Sequence, residues 1–153
     1  MKTKPIKRHL ALQPLSRDHH QGLLLSWKIR TGFNKGIAVD RIKKYSDWFY
    51  KIYLTPHFKE EEKYIFPILG NDNEMVKKAI AQHRRLERLF NSTLEIKKSL
   101  SCIEEELEQH IRFEERVLFN EIQEVATEQQ LQIILEQHKE TKFLDANTDN
   151  FWE

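Results

Sequence analysis

Two stretches of this chain echo each other: HFKEEEKYIFPIL at 57–69 and HIRFEERVLFNEI at 110–122. His57 aligns with His110, Glu61 with Glu114, Glu62 with Glu115, Lys63 with Arg116 and Phe66 with Phe119. Residues four apart share one face of a helix, with Cβ atoms about 5–6 Å apart. Each HxxxE pair therefore aims an imidazole and a carboxylate at one point, amid residues that a helix would bury. The chain must fold so that two such faces are enclosed, which restricts it to packed helices.

The rest of the sequence agrees with helices. Only four glycines and four prolines occur in 153 residues, too few for the turns of a sandwich or barrel. The length fits one domain. Ser16 is placed to cap a first helix through LSRDHHQGLLLSWKIR, which should end between Gly32 and Gly36. A second is expected from Val39 or Asp40 to Leu69, bent at Pro56, with Tyr45, Trp48, Phe49, Ile52, Tyr53, Tyr64, Ile65 and Ile68 on its apolar stripe. Asn71 or Asp72 would cap a third, with Val76, Ile80, His83, Glu87, Phe90 and Leu94 facing inward. After a break at Ser99–Ser101, a fourth carries Ile103, Leu107, His110, Glu114, Val117, Leu118 and Ile122. Thr127 can cap a short fifth helix containing Leu131, Ile134, Leu135 and His138. The reading is an all-α, up-down-up-down four-helix bundle with a short C-terminal fifth helix. Residues 1–13 form an N-terminal arm, 14–145 the bundle and 146–153 a tail whose Phe151 and Trp152 either dock or dangle.

In such a bundle the second and fourth helices run parallel on one diagonal, so the two HxxxE pairs face each other across the axis. Their carboxylates could bridge two metal ions, with a histidine terminal to each. Burying two carboxylates without counter-charge costs several kcal/mol each, in order of magnitude, and cations remove that cost. At about 1.5 Å per residue, His83 lies roughly 17 Å from Asp72 and Glu61 roughly 14 Å from Gly70, which are similar depths. On the first helix His19 is favoured over His20, because its face carries Leu15, Gly22, Leu23 and Ser26, whose small members leave room beside a metal; His20 shares its face with Leu24 and Trp27. Mixed imidazole and carboxylate donors with open positions suit iron, with zinc or manganese as substitutes. Glu60, Glu62 and Glu115 read as solvated, or paired with Lys63, Arg112 or Arg116.

A net charge of +1 gives no footprint for nucleic acid or anionic lipid. No window reaches the run of about 18 apolar residues that a membrane span requires. The lone Cys102 fits a reducing compartment. The N-terminus has no unbroken apolar stretch before Pro14, so no signal peptide is expected and the cytoplasm is the default location.

Four motifs carry a resemblance: RDHH at 17–20, HFKEEEKYIFP at 57–67, QHRRLE at 82–87 and HIRFEERVLF at 110–119. In their order and spacing the chain resembles the hemerythrin-like, HHE cation-binding family over roughly residues 12–125. That resemblance implies a four-helix bundle around a non-haem di-iron centre. It implies His19, His57, His83 and His110 as terminal ligands and Glu61 and Glu114 as bridges. The family's activities include reversible oxygen binding, oxygen or redox sensing, iron handling and repair of iron–sulfur clusters. Its oxygen carriers have a second histidine four residues after the third-helix one; here that position is Glu87, which either replaces the ligand or pairs with Arg84, while His20 and His138 are weaker candidates for the missing imidazole. The expected function is binding or sensing of O2 or NO at an open iron position rather than catalysis. The alternative is a di-iron oxidase, or an iron-handling or cluster-repair protein, the last weakened by an N-terminal arm without cysteine.

Overall fold

A computed structural model of the protein describes residues 7–137 and 149–153. Among these the chain is all helical. The first rod is α1 (Gln13–Asn34). The second comprises α2 (Val39–Phe49), a π turn at Tyr50–Leu54, α3 (Thr55–Glu60), a second π turn at Glu61–Ile65 and a 3-10 turn at Phe66–Ile68. The third is α4 (Glu74–Asn91). The fourth is α5 (Ile96–Phe113), a π turn at Glu114–Leu118 and α6 (Phe119–Val125). A short α7 (Glu128–Gln137) follows. Helices α1 and α4 each pack against both α2 and α5, which leaves the second and fourth rods on one diagonal.

Local chemistry explains the ends. Gly36 and Gly70 take positive φ of 69° and 90° just beyond the first and second rods, a conformation open to a residue without Cβ. Asn73, not Asn71 or Asp72, caps α4: its Oδ1 accepts from the backbone N–H of Met75 at 2.9 Å and Val76 at 3.2 Å. Thr127 and Gln130 form a reciprocal capping box at α7, at 3.1 and 2.9 Å. Ser16 does not cap α1, which begins a turn earlier with Pro14 in its first turn, where the missing N–H costs nothing. The third rod ends at Ser92, whose backbone turns extended, and Ser99–Ser101 lies inside α5.

The expected bend at Pro56 takes the form of the π turn before it. A proline ring clashes with the carbonyl four residues back, and widening the turn to i→i+5 bonding relieves this without ending the rod. The widening moves the apolar stripe on by one residue. It passes from Phe49 to Leu54 and Phe58, so Ile52 is 45% exposed rather than inward. The π turn at Glu114–Leu118 does the same on the fourth rod, burying Leu118 and leaving Val117 exposed. Leu94 and Leu135 are exposed as well, because the first lies beyond α4 and the second faces away from the bundle on α7.

Two apolar clusters fill the interior. One holds Leu25, Ile29, Tyr45, Phe49, Phe58, Leu86, Phe90, Leu107 and Ile111. The other holds Leu12, Leu15, Ile65, Phe66, Val76, Leu118, Phe119, Ile122, and Leu131 and Ile134 of α7. Of the tail, residues 149–153 are described, and Phe151 docks: it is 1% exposed in the first cluster, its ring against Gly32 of α1 and Tyr45 of α2. The two clusters are separated by a layer of buried polar side chains.

Candidate metal centre

The intervening layer is made of six residues, one or two from each of the four rods. Glu61, Glu114 and His83 are 0% exposed, and His110, His19 and His57 are between 1% and 5%. Each sits mid-rod, flanked along its own helix by members of both apolar clusters. Glu61 and Glu114 each open one of the π turns, so the repeated sequence produces a repeated backbone irregularity at the repeated carboxylate. Such turns are frequent at functional sites.

The Nε2 atoms of the four histidines surround the two carboxylates. Glu61 lies 3.3 Å from His57, 3.2 Å from His83 and 3.5 Å from His19. Glu114 lies 2.9 Å from His110, 3.1 Å from His19 and 3.9 Å from His83. Yet none of these contacts is a hydrogen bond: all four Nε2 atoms and all four carboxylate oxygens are buried with no hydrogen-bond partner among the described residues. Buried polar atoms are ordinarily satisfied, and leaving one unpaired costs about 1–3 kcal/mol, more when charged. The donor atoms fall into two overlapping groups, His19–His57–Glu61–Glu114 and Glu61–His83–His110–Glu114, within each of which they lie within 4.8 Å of one another. Both glutamates belong to both groups. The residues present fit a metal: a mixed imidazole–carboxylate set, enclosed, with its lone pairs converging.

The outward nitrogens are held by a second layer. His19 Nδ1 lies 2.7 Å from Glu115, His83 Nδ1 2.8 Å from Glu62, His57 Nδ1 3.1 Å from Asp18 and His110 Nδ1 2.6 Å from Gln82. An ionised carboxylate or an amide oxygen can only accept, so each Nδ1–H donates outward. That tautomer leaves each Nε2 lone pair for the centre. Glu62 and Glu115 are thus not solvated side chains paired with neighbouring basic residues of their own helix. Each reaches across to a histidine of another rod and is held in turn by Arg84 or by Arg8.

The layer is built twice. Asp18–His19 on the first rod corresponds to Gln82–His83 on the third, and His57–Glu61–Glu62 to His110–Glu114–Glu115. The His19–His57 rings meet at 4.8 Å and 67°, the His83–His110 rings at 4.8 Å and 68°. Phe119 stacks on His19 at 5.2 Å, and Phe66 tilts against His83 at 5.4 Å. The correspondence stops at Phe58, which stacks on His83 at 3.9 Å and aligns in sequence with Ile111.

The buried carboxylates raise the affinity of the surrounding imidazoles for protons. Burial opposes charge on His57, but the Glu61 charge, with Asp18, outweighs it and raises its pKa to about 10. His83 is raised to about 9 against its burial by contacts with Glu61 and Glu62. His19 is raised well above its ordinary value, again against burial, by Glu114, Glu115 and Glu61. Burial would raise the Glu61 carboxyl, yet the His57 charge and the contacts with His19, His57 and His83 hold it well below the usual range.

Six of the seven sequence candidates meet here. Glu87 does not. The third rod is rotated so that Leu86 takes the buried place and position 87 falls past the axis. The Glu87 side chain is 31% exposed and accepts from Arg84 at 2.6 Å, the second of its two sequence readings. His20 is exposed, and His138 lies outside the described residues. Gly22 leaves no room beside a metal: a Cβ there would stand 2.6 Å from Ile111 Cδ1, so its smallness lets α1 approach α5. Asp18, Gln82, Glu62 and Glu115 were not legible as partners of the histidines. Their only signal is adjacency, each lying next in sequence to an inward residue.

A family model for the hemerythrin HHE cation-binding domain matches residues 10–101. The match includes His19, His57, Glu61 and His83 and stops before the fourth rod's His110 and Glu114, which the geometry adds. Neither the curated proteins nor the solved structures contain a match to the chain. Among the described residues no helix is long and apolar enough to cross a membrane.

Proposed function

The chain belongs to the hemerythrin HHE cation-binding family, and on that premise we propose that it is a non-haem di-iron protein that binds or senses a diatomic ligand, O2 or NO. The observation that carries the reading is the pair of overlapping donor groups sharing Glu61 and Glu114, all of whose inward atoms lack a hydrogen-bond partner among the described residues. His19 and His57 would hold one ion, His83 and His110 the other, and the two glutamates would bridge. Glu87 is left out of the set. Two imidazoles and two shared carboxylates leave positions open, and mixed nitrogen and oxygen donors of this kind suit iron; iron held there would supply a redox-active centre for the diatomic ligand.

The protein's own part is positioning and exclusion of water. Glu62, Glu115, Asp18 and Gln82 fix the imidazole rings, and Phe58, Phe66 and Phe119 wall the centre. The apolar clusters on either side keep bulk water and stray proton donors from the buried carboxylates, which would favour reversible binding over irreversible oxidation of the centre. The test is anaerobic loading with ferrous iron, a count of two ions per chain, then admission of O2. A visible charge-transfer band that disappears under vacuum supports the reading. Irreversible oxidation with continued O2 consumption would assign a di-iron oxidase instead. Fewer than one tightly held ion per chain would remove the metal reading altogether.

A further inference from the structure

The duplicated layer is asymmetric in the charge of the groups that back its histidines. His19 and His83 are each backed by a carboxylate, Glu115 or Glu62, that is itself paired with an arginine, Arg8 or Arg84. The other two histidines differ. His57 Nδ1 lies 3.1 Å from the Asp18 carboxylate, whereas His110 Nδ1 lies 2.6 Å from the neutral Gln82 amide. The inward donors are matched, two histidines to each group and the same two glutamates. The difference in formal charge between the direct outer partners of the two positions lies in this pair.

A carboxylate accepting the Nδ1–H makes the imidazole a stronger donor at Nε2, and removing such a partner weakens metal binding about 10–100-fold. A neutral amide orients the ring equally well but shifts less electron density. Asp18 is 38% exposed, so its influence is that of a charge-assisted hydrogen bond rather than of a buried ion. We infer that Asp18 is a positioning residue that makes the His19–His57 position the tighter of two unequal metal positions, filled first, with the Gln82-backed His83–His110 position filled second. The inference rests on the two-ion reading above and adds the order in which the positions fill.

The test is calorimetric titration of the metal-free chain with Co2+, resolving two stepwise constants. Separation of the constants is not diagnostic by itself, because the first ion repels the second. The variants decide. If Asp18 makes its position the tighter, Asp18→Asn lowers the first constant about tenfold and leaves the second nearly unchanged. Gln82→Glu raises the second and moves the first by no more than about twofold, the statistical factor for two equal positions. If the positions are equal, Asp18→Asn instead lowers the second constant and spares the first, and Gln82→Glu raises the first; that pattern overturns the inference while leaving the two-ion reading intact. Equal lowering of both constants by Asp18→Asn marks a merely structural role and overturns it too. A wild-type chain that takes up no Co2+ sinks both this inference and the reading it rests on.

Discussion

Glu62 Oε2 lies 2.8 Å from His83 Nδ1, although Glu62 belongs to the second rod and His83 to the third. The residue before Glu62 is the buried Glu61, whose oxygen approaches the other nitrogen of the same ring at 3.2 Å. Two consecutive glutamates therefore face opposite edges of one imidazole: Glu62 holds its outer Nδ1 at the surface, and Glu61 lies beside its inward Nε2. Glu114 and Glu115 do the same to His19, at 3.1 and 2.7 Å. This is why the motif needs two adjacent carboxylates rather than one.

Removing the outer grip should weaken the metal without emptying the site. Glu62→Ala and Glu115→Ala are expected to reduce ion affinity about 10–100-fold. Glu121→Ala, an exposed glutamate on the fourth rod, should leave it unchanged. Competition against a chelator of known affinity measures the difference.

The inner set makes a sharper prediction. His57→Ala, His110→Ala, Glu61→Ala and Glu114→Ala should each abolish loading of two ions per chain, read by elemental analysis after anaerobic reconstitution. His20→Ala and Glu87→Ala should retain both ions. Loss of an ion in Glu87→Ala would return that residue to the ligand set.

The metal-free chain should lose stability toward alkaline pH. Folded His57 and His83 hold protons up to about 10 and 9, whereas the unfolded chain releases them near the ordinary value of 6.5. The folded state therefore binds more protons between those limits, and stability falls as pH rises through them. Glu61, with its lowered pKa, has the opposite sign: its contribution is complete above the ordinary 4.5 and is lost as pH falls further. Thermal melts without metal should peak between about 4.5 and 6.5. Ion affinity should instead increase with pH up to about 10, because the histidines must release protons to bind.

The tail contributes to stability and not to the site. Phe151 fills the first apolar cluster against Gly32 and Tyr45. Phe151→Ala should cost about 3 kcal/mol, seen as a lower denaturant midpoint, with two-ion loading unchanged. A change in stoichiometry would mean that the tail reaches the centre.

The four rods are legible in the sequence through their helical periodicity, and the duplicated HxxxEE places His57, Glu61, His110 and Glu114 from local spacing alone. Glu87 shows where that reasoning fails. A four-residue step is 40° more than a turn, and whether such a residue lands inward depends on how the rod is rotated against its neighbours. Ile52 and Val117 failed for a related reason: each lies in a π turn, and one extra residue per turn shifts the register that a 3.6-residue period assumes.

The chain's linear order by itself determined that it would be helical, that two of its helices would carry matching imidazole–carboxylate pairs, and that His19 rather than His20 would face the core. Those are properties of spacing along single helices, where one face is set by residues three and four apart. Only the tertiary structure decided which side chain grips which: that Glu62 serves His83, Glu115 serves His19, Asp18 serves His57 and Gln82 serves His110. Those partners are 21 to 96 positions apart, and their meeting depends on the rotation and depth of four packed rods.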